Sequence, residues 1–338
     1  NKRSVVLDLK TAEGVAAARA LMVRADVVVE NFRPGVMARN GLDYQSVRTD
    51  NPGLIYCSIS AFGQTGPRAE QGGFDLTMQA MAGVMSVTGE PGGAPVKCGV
   101  PLCDFVSGLY GAFSIASAIA GSSETGQGQH IDISMMGATL GVAALQTSEF
   151  FGSGKLPAKL GSAHPRNAPY QAFRAQDGHF GMAAGNNSLW AKVCDVVDRP
   201  DLVDAPQFID PQARAANQEA LRVLLEEVFA AAPAAHWLAA FEEVGVPCSP
   251  INTYADALCD PQVDAMGWVQ SLTLPNGATT RTFGPVPRID GATGGIRRGP
   301  PALGEHTDEV LAELGLSQTG TPGMAPTTNG AASSGPRA

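Results

Sequence analysis

Charge and aromatic side chains are scarce in this sequence: 16% of its 338 residues are charged and 6% aromatic. It has no cysteine pair either. The six cysteines, at 57, 98, 103, 194, 248 and 259, form no Cys-x-x-Cys. A chain of this length needs no disulfide staples, so reduced thiols in the cytoplasm are the expectation. Positive charge is in deficit, with 23 Lys and Arg against 32 Asp and Glu and a net charge of -9. No broad basic face is then available to displace counterions from a nucleic acid, which excludes that partner. A small polyanion is not excluded, because a few local cations and helix N-termini can hold one. No run of about 18 to 20 apolar residues, the length that spans a bilayer, stands out, and no signal peptide is visible. The histidines lack metal-ligand spacing; His130, His179 and His236 read as surface or core residues, and no metal is expected. There is no Gly-x-Ser-x-Gly and no P-loop, and Gly121, Gly126 and Gly128 do not make a dinucleotide fingerprint.

What is present points to an α/β protein. A 44% hydrophobic content is ample for a large core, and the length suggests about two domains. The 40 glycines and 24 prolines, spread along the chain, fit many tight turns. Val5–Leu9 reads as a strand, followed by a helix capped by Thr11 with Val15, Ala18, Leu21 and Met22 at helical spacing. Val27–Val29 and Leu54–Ser60 read as further strands. Strand, helix and strand at this spacing imply a mostly parallel sheet, with ligands held where strands end. Two small-residue helices are expected at about Phe74–Val87 and Phe105–Ala120. Residues 153–168 carry Gly, Ser and Pro without a period and read as a linker. Beyond it come a hairpin around Asp177-Gly178 and amphipathic helices near Leu189–Val197, Gln218–Ala231 and Ala235–Val244. Residues 318–338 are Thr, Gly, Pro, Ser and Ala and are expected to be a disordered tail. The chain opens at Asn1-Lys2-Arg3-Ser4 without an initiator Met, and we read it as lacking its beginning.

Three segments could carry chemistry. Asp104 follows Val100-Pro101-Leu102-Cys103 directly before a helix. It reads as a helix cap or as a nucleophile, and the roles are compatible. Backbone N–H groups at a helix start are expected to depress its pKa, and an ionised carboxylate can attack a thioester. Glu30-Asn31-Phe32-Arg33-Pro34-Gly35 leaves a strand, as a plain turn capped by Asn31 or as a ligand loop. Arg39, one turn later, is a solvated charge or a phosphate partner. Gly72-Gly73-Phe74-Asp75 precedes a helix that Asp75 could cap, and the paired glycines would let a ligand approach the backbone.

Together these motifs resemble the family III CoA-transferases, which include formyl-CoA transferase, carnitine CoA-transferase and the α-methylacyl-CoA racemases. The resemblance runs from Asn1 to about Leu316. It rests on Asn1-Lys2-Arg3-Ser4-Val5, Ala25–Gly35, Gly73-Phe74-Asp75, Asp104, Thr125–Gln129 and Pro300–Thr307. It implies a Rossmann-like large domain at 1–152, a smaller α/β domain at 169–285, a segment at 286–317 returning to the large domain, and an interlocked homodimer. It implies that Asp104 forms covalent acyl and CoA intermediates. It places contacts to CoA at Leu7, Asp8, Leu9, Lys10, Asn31, Phe32, Arg33, Arg39, Gly72, Gly73, Phe74 and Asp75. The substrates would be acyl-CoA thioesters and a carboxylic acid, with no permanently bound cofactor, no membrane and a cytoplasmic location.

Two departures qualify the resemblance. Racemising relatives place a His where this chain has Phe74, so transfer is expected over racemisation. Oxalate-using relatives carry a glycine-run loop where this chain has Gly161-Ser162-Ala163-His164-Pro165, so oxalate is not the expected acceptor. A racemase and a non-catalytic CoA-binding subunit remain the alternative readings.

Overall fold

The computed structural model describes residues 1–316; the tail expected at 318–338, and residue 317, lie outside the described residues. Helix α1 (Ala12–Arg24) starts at Thr11, whose side chain accepts from the Gly14 N–H, and Glu13 and Arg24 sit where the helix dipole favours each. Strand β1 (Val27–Glu30), short helices α2 (Val36–Arg39) and α3 (Tyr44–Val47), and strand β2 (Ile55–Ser60) follow. The single helix expected over Phe74–Val87 is two, α4 (Asp75–Met81) and α5 (Val84–Val87), divided at Gly83 with its φ of 84°. A left-handed residue ends a right-handed helix. Helix α6 (Leu102–Thr125) begins at Leu102 rather than Phe105 and stops at Gly126 with φ 66°. Strand β3 (His130–Ser134) runs straight into α7 (Met135–Val142), capped by the Ser134 hydroxyl, and α8 (Ala144–Ser153).

The three strands form a parallel sheet in the order β1-β2-β3. Val27 lies opposite Ile55, and Tyr56 opposite His130. Central β2 is buried at every position but Ile59, as a strand covered on both faces is, with Ser58 and Ser60 its buried polar residues. Cys103, Ser107, Gly111 and Ala118 form the buried side of α6. A Cβ on Gly111 would lie 3.4 Å from Ile59 and 3.7 Å from Cys57, so this helix rests directly on β2. By length and composition α6 could cross a membrane, at 24 residues and mean hydropathy 1.5. That corrects the expectation that no such run exists.

Val5–Leu9 is not a strand. The chain here is tied to residues 304–307 instead: Ser4 O accepts from His306 N–H, Val6 N–H donates to Thr307 Oγ1 and Gly304 N–H donates to Ser4 Oγ, each at 3.0 Å. Leu9 packs with Met22 and Leu42.

A second, antiparallel sheet has the order β4-β5-β6, with β4 (Tyr170–Arg174), β5 (His179–Ala183) and β6 (Cys248–Pro250). The β4–β5 turn falls at Asp177-Gly178 as expected, with Ala175 N–H donating to Gly178 O at 2.8 Å. Helices α9 (Asn187–Val196), α10 (Pro211–Ala216), α11 (Gln218–Phe229) and α12 (Ala234–Glu243) accompany it. Their core is aromatic, built on Phe173, Phe180, Trp190, Phe229 and Phe241. Short helices α13 (Tyr254–Leu258) and α14 (Pro261–Met266), hairpins β7 (Val269–Thr273)–β8 (Thr279–Phe283) and β9 (Arg288–Ile289)–β10 (Ala292–Thr293), and α15 (Thr307–Glu313) complete the described chain. All six cysteines are free.

Candidate active site

Parallel strands leave a crevice at their carboxyl ends, and here β1 and β2 open into a cleft of about 670 Å³. Glu30 ends β1 and turns its carboxylate back, Oε2 accepting from Phe32 N–H at 2.8 Å. Asn31 Nδ2 donates to Ile59 O at 2.6 Å, which ties the following loop to β2. Phe32 and Arg33 are thereby held on the cleft wall. A Cβ on Gly72 would lie 3.3 to 3.5 Å from Nη2, Nε and Cζ of Arg33, so the guanidinium covers that glycine. Arg39 reaches back to Gly35, its Nη1 3.4 Å from where a Cβ would stand. Among the described residues neither guanidinium has a carboxylate partner within 4.0 Å.

Gly73 has a different reason for being glycine. A Cβ there would come within 2.7 Å of Met78 Cε and 2.9 Å of Ala61 Cβ. Thr77 Oγ1 accepts from Phe74 N–H at 2.9 Å and starts α4, leaving the Phe74 ring 82% exposed on the cleft wall.

Asp104 is the third residue of α6, not its cap. Its neighbour Cys103 is fully buried in a cluster with Ala61, Met78 and Met135, and this turns Asp104 outward to line the cleft. The carboxylate that does accept from the start of α6 is Asp75, whose Oδ1 takes the Cys103 N–H at 2.9 Å. Asp104 itself has no hydrogen-bond partner among the described residues. Its pKa is raised, against the expected depression, by partial burial first and the Asp75 charge second. The carboxylate is exposed in the single chain, so this is the push felt at a cleft rim rather than in a sealed pocket.

Asp75 thus caps α6 rather than its own helix, and it lies behind the cleft wall instead of lining it. The cleft gathers Asn31, Phe32, Arg33, Gly72, Gly73, Phe74 and Asp104. It does not gather Leu7, Asp8, Leu9, Lys10 or Arg39. Asp8 Oδ1 accepts from Lys10 N–H at 3.0 Å in the turn before α1, and Lys10 is exposed. Lining residues that sequence reasoning missed include Ser60, Gln71, Thr77, Ser107 and Met135. Only Ser107 and Gly108 had a signal, their helical spacing from Asp104. Gly108 has open space where a Cβ would be, so the turn above Asp104 stays clear. Among the described residues no group of three or more His, Cys, Asp or Glu is placed to hold a metal.

A carboxylate in the first turn of a helix, in a strand-end cleft lined by the Arg33 guanidinium, defines an α/β protein suited to an anionic ligand with an electrophilic end. The particular family follows from comparison. Residues 1–307 match CoA-transferase family III, and the chain belongs to that family. It is similar to a succinate–glutarate CoA-transferase of Agrobacterium fabrum, 38% identical over 322 residues, covering 95% of this chain and 80% of the relative. It is also similar to an acetyl-CoA:oxalate CoA-transferase of Acetobacter aceti, 41% identical over 316 residues, covering 93% and 80%. A solved CaiB/BaiF family protein from Brucella suis superposes with a TM-score of 0.78 at 41% identity, covering 93% of this chain and 82% of that one. The chain is therefore an enzyme of the CoA-transferase type.

Proposed function

We propose that this protein is an acyl-CoA:carboxylate CoA-transferase with Asp104 as its covalent nucleophile. The observation that carries the reading is the convergence on one cleft of Asp104, the Asn31–Arg33 loop and the Gly72–Phe74 segment. CoA is long, and its phosphates would extend from this cleft toward Arg33, which lies over Gly72, and on toward Arg39 and the exposed Lys10. The family resemblance supports the same assignment for Leu7–Leu9. Asp75 is reassigned from ligand contact to support of α6.

In the proposed cycle an Asp104 oxygen attacks the donor thioester carbonyl, the C–S bond breaks, and CoA leaves as thiolate. The thiolate attacks the aspartyl carbonyl of the resulting anhydride, expelling the donor acid as carboxylate and leaving an aspartyl-CoA thioester. The acceptor carboxylate then attacks that thioester and releases the thiolate. Attack of the thiolate on the acceptor carbonyl forms the new acyl-CoA and frees Asp104. No net proton moves. A carboxylate without hydrogen bonds, and of raised basicity, is the better nucleophile for the first step.

The relatives are named for succinate, glutarate and oxalate, all dicarboxylic acids, and we take short dicarboxylates as the acceptor class. Oxalate belongs in the assay because the Acetobacter relative uses it despite the absence here of a glycine-run loop. Phe74 offers no base on the cleft wall, which favours transfer over racemisation. We place residues 1–152 in the large unit and 169–285 in the small one, and expect a cytoplasmic homodimer.

Hydroxylamine added during turnover, followed by mass mapping, should find a modified Asp104. Asp104→Ala should lower transfer by more than about 10³-fold while CoA still binds. Full transfer in that variant, or a label on another residue, overturns the reading. A 2-methylacyl-CoA incubated in deuterated water without acceptor should gain no α-deuterium.

A further inference from the structure

Gln79 has no exposed surface at all, and a buried amide persists only where its donors and acceptor are bonded. Gln79 Nε2 donates to Asp75 Oδ2 at 2.7 Å, and Gln79 Oε1 accepts from Cys98 N–H at 2.8 Å. Asp75 Oδ1 in turn accepts from Cys103 N–H at 2.9 Å. One side-chain pair on α4 therefore holds both ends of the 98–103 segment. Residues 88–101 contain no helix or strand, so few bonds fix the direction in which the chain enters α6.

We infer that Gln79 is a positioning residue for the reaction at Asp104: it bridges Asp75 to the Cys98 backbone and so sets where the first turn of α6 presents its carboxylate. This deepens the reading of Asp104 as nucleophile and rests on it. Phe74 and Thr77, from the same α4, line the cleft, so the bridge makes the ligand wall and the nucleophile one rigid body. A displacement of about 1 Å at a reacting atom costs on the order of 100-fold in rate. The bridge has an electrostatic side as well. The Gln79 amide fixes the position of the Asp75 charge, which, after burial, is the second cause that raises the Asp104 pKa. Arg33 lines the same cleft as Asp104, and the Cys103 thiol, next to Asp104 on its own helix, is buried away from the cleft.

Gln79→Met keeps the volume and removes both bonds. Gln79→Glu keeps the acceptor for Cys98, and because two buried carboxylates at this distance cannot both ionise, the new carboxyl shares one proton with Asp75 and keeps that bond as well. In the full-length protein, Gln79→Met should lower kcat by about 10- to 100-fold with KM for the acyl-CoA near the wild-type value. Gln79→Glu should keep kcat near the wild-type value while that shared proton is present and fall toward the Gln79→Met value as pH rises and it is lost, a basic limb on kcat that the wild type lacks. A purely structural role would reduce the folded fraction and leave no such limb in kcat per folded enzyme. Wild-type kcat in Gln79→Met, or no new basic limb in Gln79→Glu, overturns the inference. So does failure of both variants to fold, since Gln79 would then serve folding alone; if only Gln79→Met fails, the limb in Gln79→Glu decides. Wild-type transfer that survives Asp104→Ala would instead overturn the underlying reading, and the two failures are distinguished on the same plate.

Discussion

Two adjacent glycines carry different constraints, and substituting each separates binding from stability. In Gly72→Ala the new methyl meets the far end of the Arg33 side chain, which can move. Stability should stay within about 0.5 kcal/mol, while KM for acyl-CoA rises because the guanidinium is displaced. In Gly73→Ala the methyl meets Met78 and Ala61 at the base of the cleft, and overpacking there should cost about 1–3 kcal/mol in urea unfolding. Equal effects from the two would contradict these contacts. Asp104 gives a third test at this scale. Its folded pKa is raised by burial and by Asp75, above an unfolded value near 3.9. The folded chain therefore binds the proton more tightly, and stability falls as pH rises from about 4 through the folded pKa and stays lower beyond it. Asp104→Asn should accordingly melt higher than wild type at pH 7, with the gap closing toward pH 3, and should be inactive. A lower melting point at pH 7 would mean that the carboxylate is held favourably after all.

Elements were legible wherever local pattern decides them. Thr11 and the Asp177-Gly178 turn mark real boundaries, and the expected parallel sheet is present. What escaped were bonds made across the chain. Asp75 reads as a cap for the helix it begins, yet its partner is Cys103, 28 positions away. Val5–Leu9 has a strand's composition, but Val6 N–H bonds to Thr307 and the adjoining Ser4 to Gly304, some 300 positions on, rather than to a neighbouring strand. The cleft was legible in outline because its walls are consecutive motifs; Ser60 and Met135 were not, since only the sheet brings them there. Arg214 in α10 is a further case. It is fully buried, and its guanidinium donates to Ala168 O and Phe208 O at 2.9 Å and to Gly185 O at 3.0 Å over the Trp190 ring. Burial lowers its pKa, and the fork holds loops that no helix reaches. Arg214→Ala strands these three carbonyls, at about 1–3 kcal/mol for each left unbonded, and urea unfolding should show a loss of that order. Arg214→Lys should recover little, since one ammonium cannot span the fork. Near-complete recovery by Lys would show that charge, not geometry, is what the site requires.

At the scale of the whole molecule the face of α6 turned from the sheet remains unaccounted for. Phe105, Leu109 and Phe113 are 65%, 68% and 72% exposed, and their spacing puts them on one side of the helix. Each such side chain gains about 1.5–3 kcal/mol on burial, and a contiguous exposed apolar stripe of this kind marks an interaction surface. The proposed second copy would cover it, and would also enclose Asp104, which stands one position before Phe105. The pure protein should then run in light scattering at twice the chain mass of 34.9 kDa. The double variant Leu109→Glu, Phe113→Glu should run at the single mass, because two carboxylates cannot be desolvated in an apolar contact. Its transfer activity should fall with dimerisation, and high protein concentration should not restore it. Neither position touches the sheet, so far-ultraviolet circular dichroism should match that of the parent. A fully active wild-type monomer would remove the need for a partner at this face, and with it the enclosure of Asp104 by a second chain.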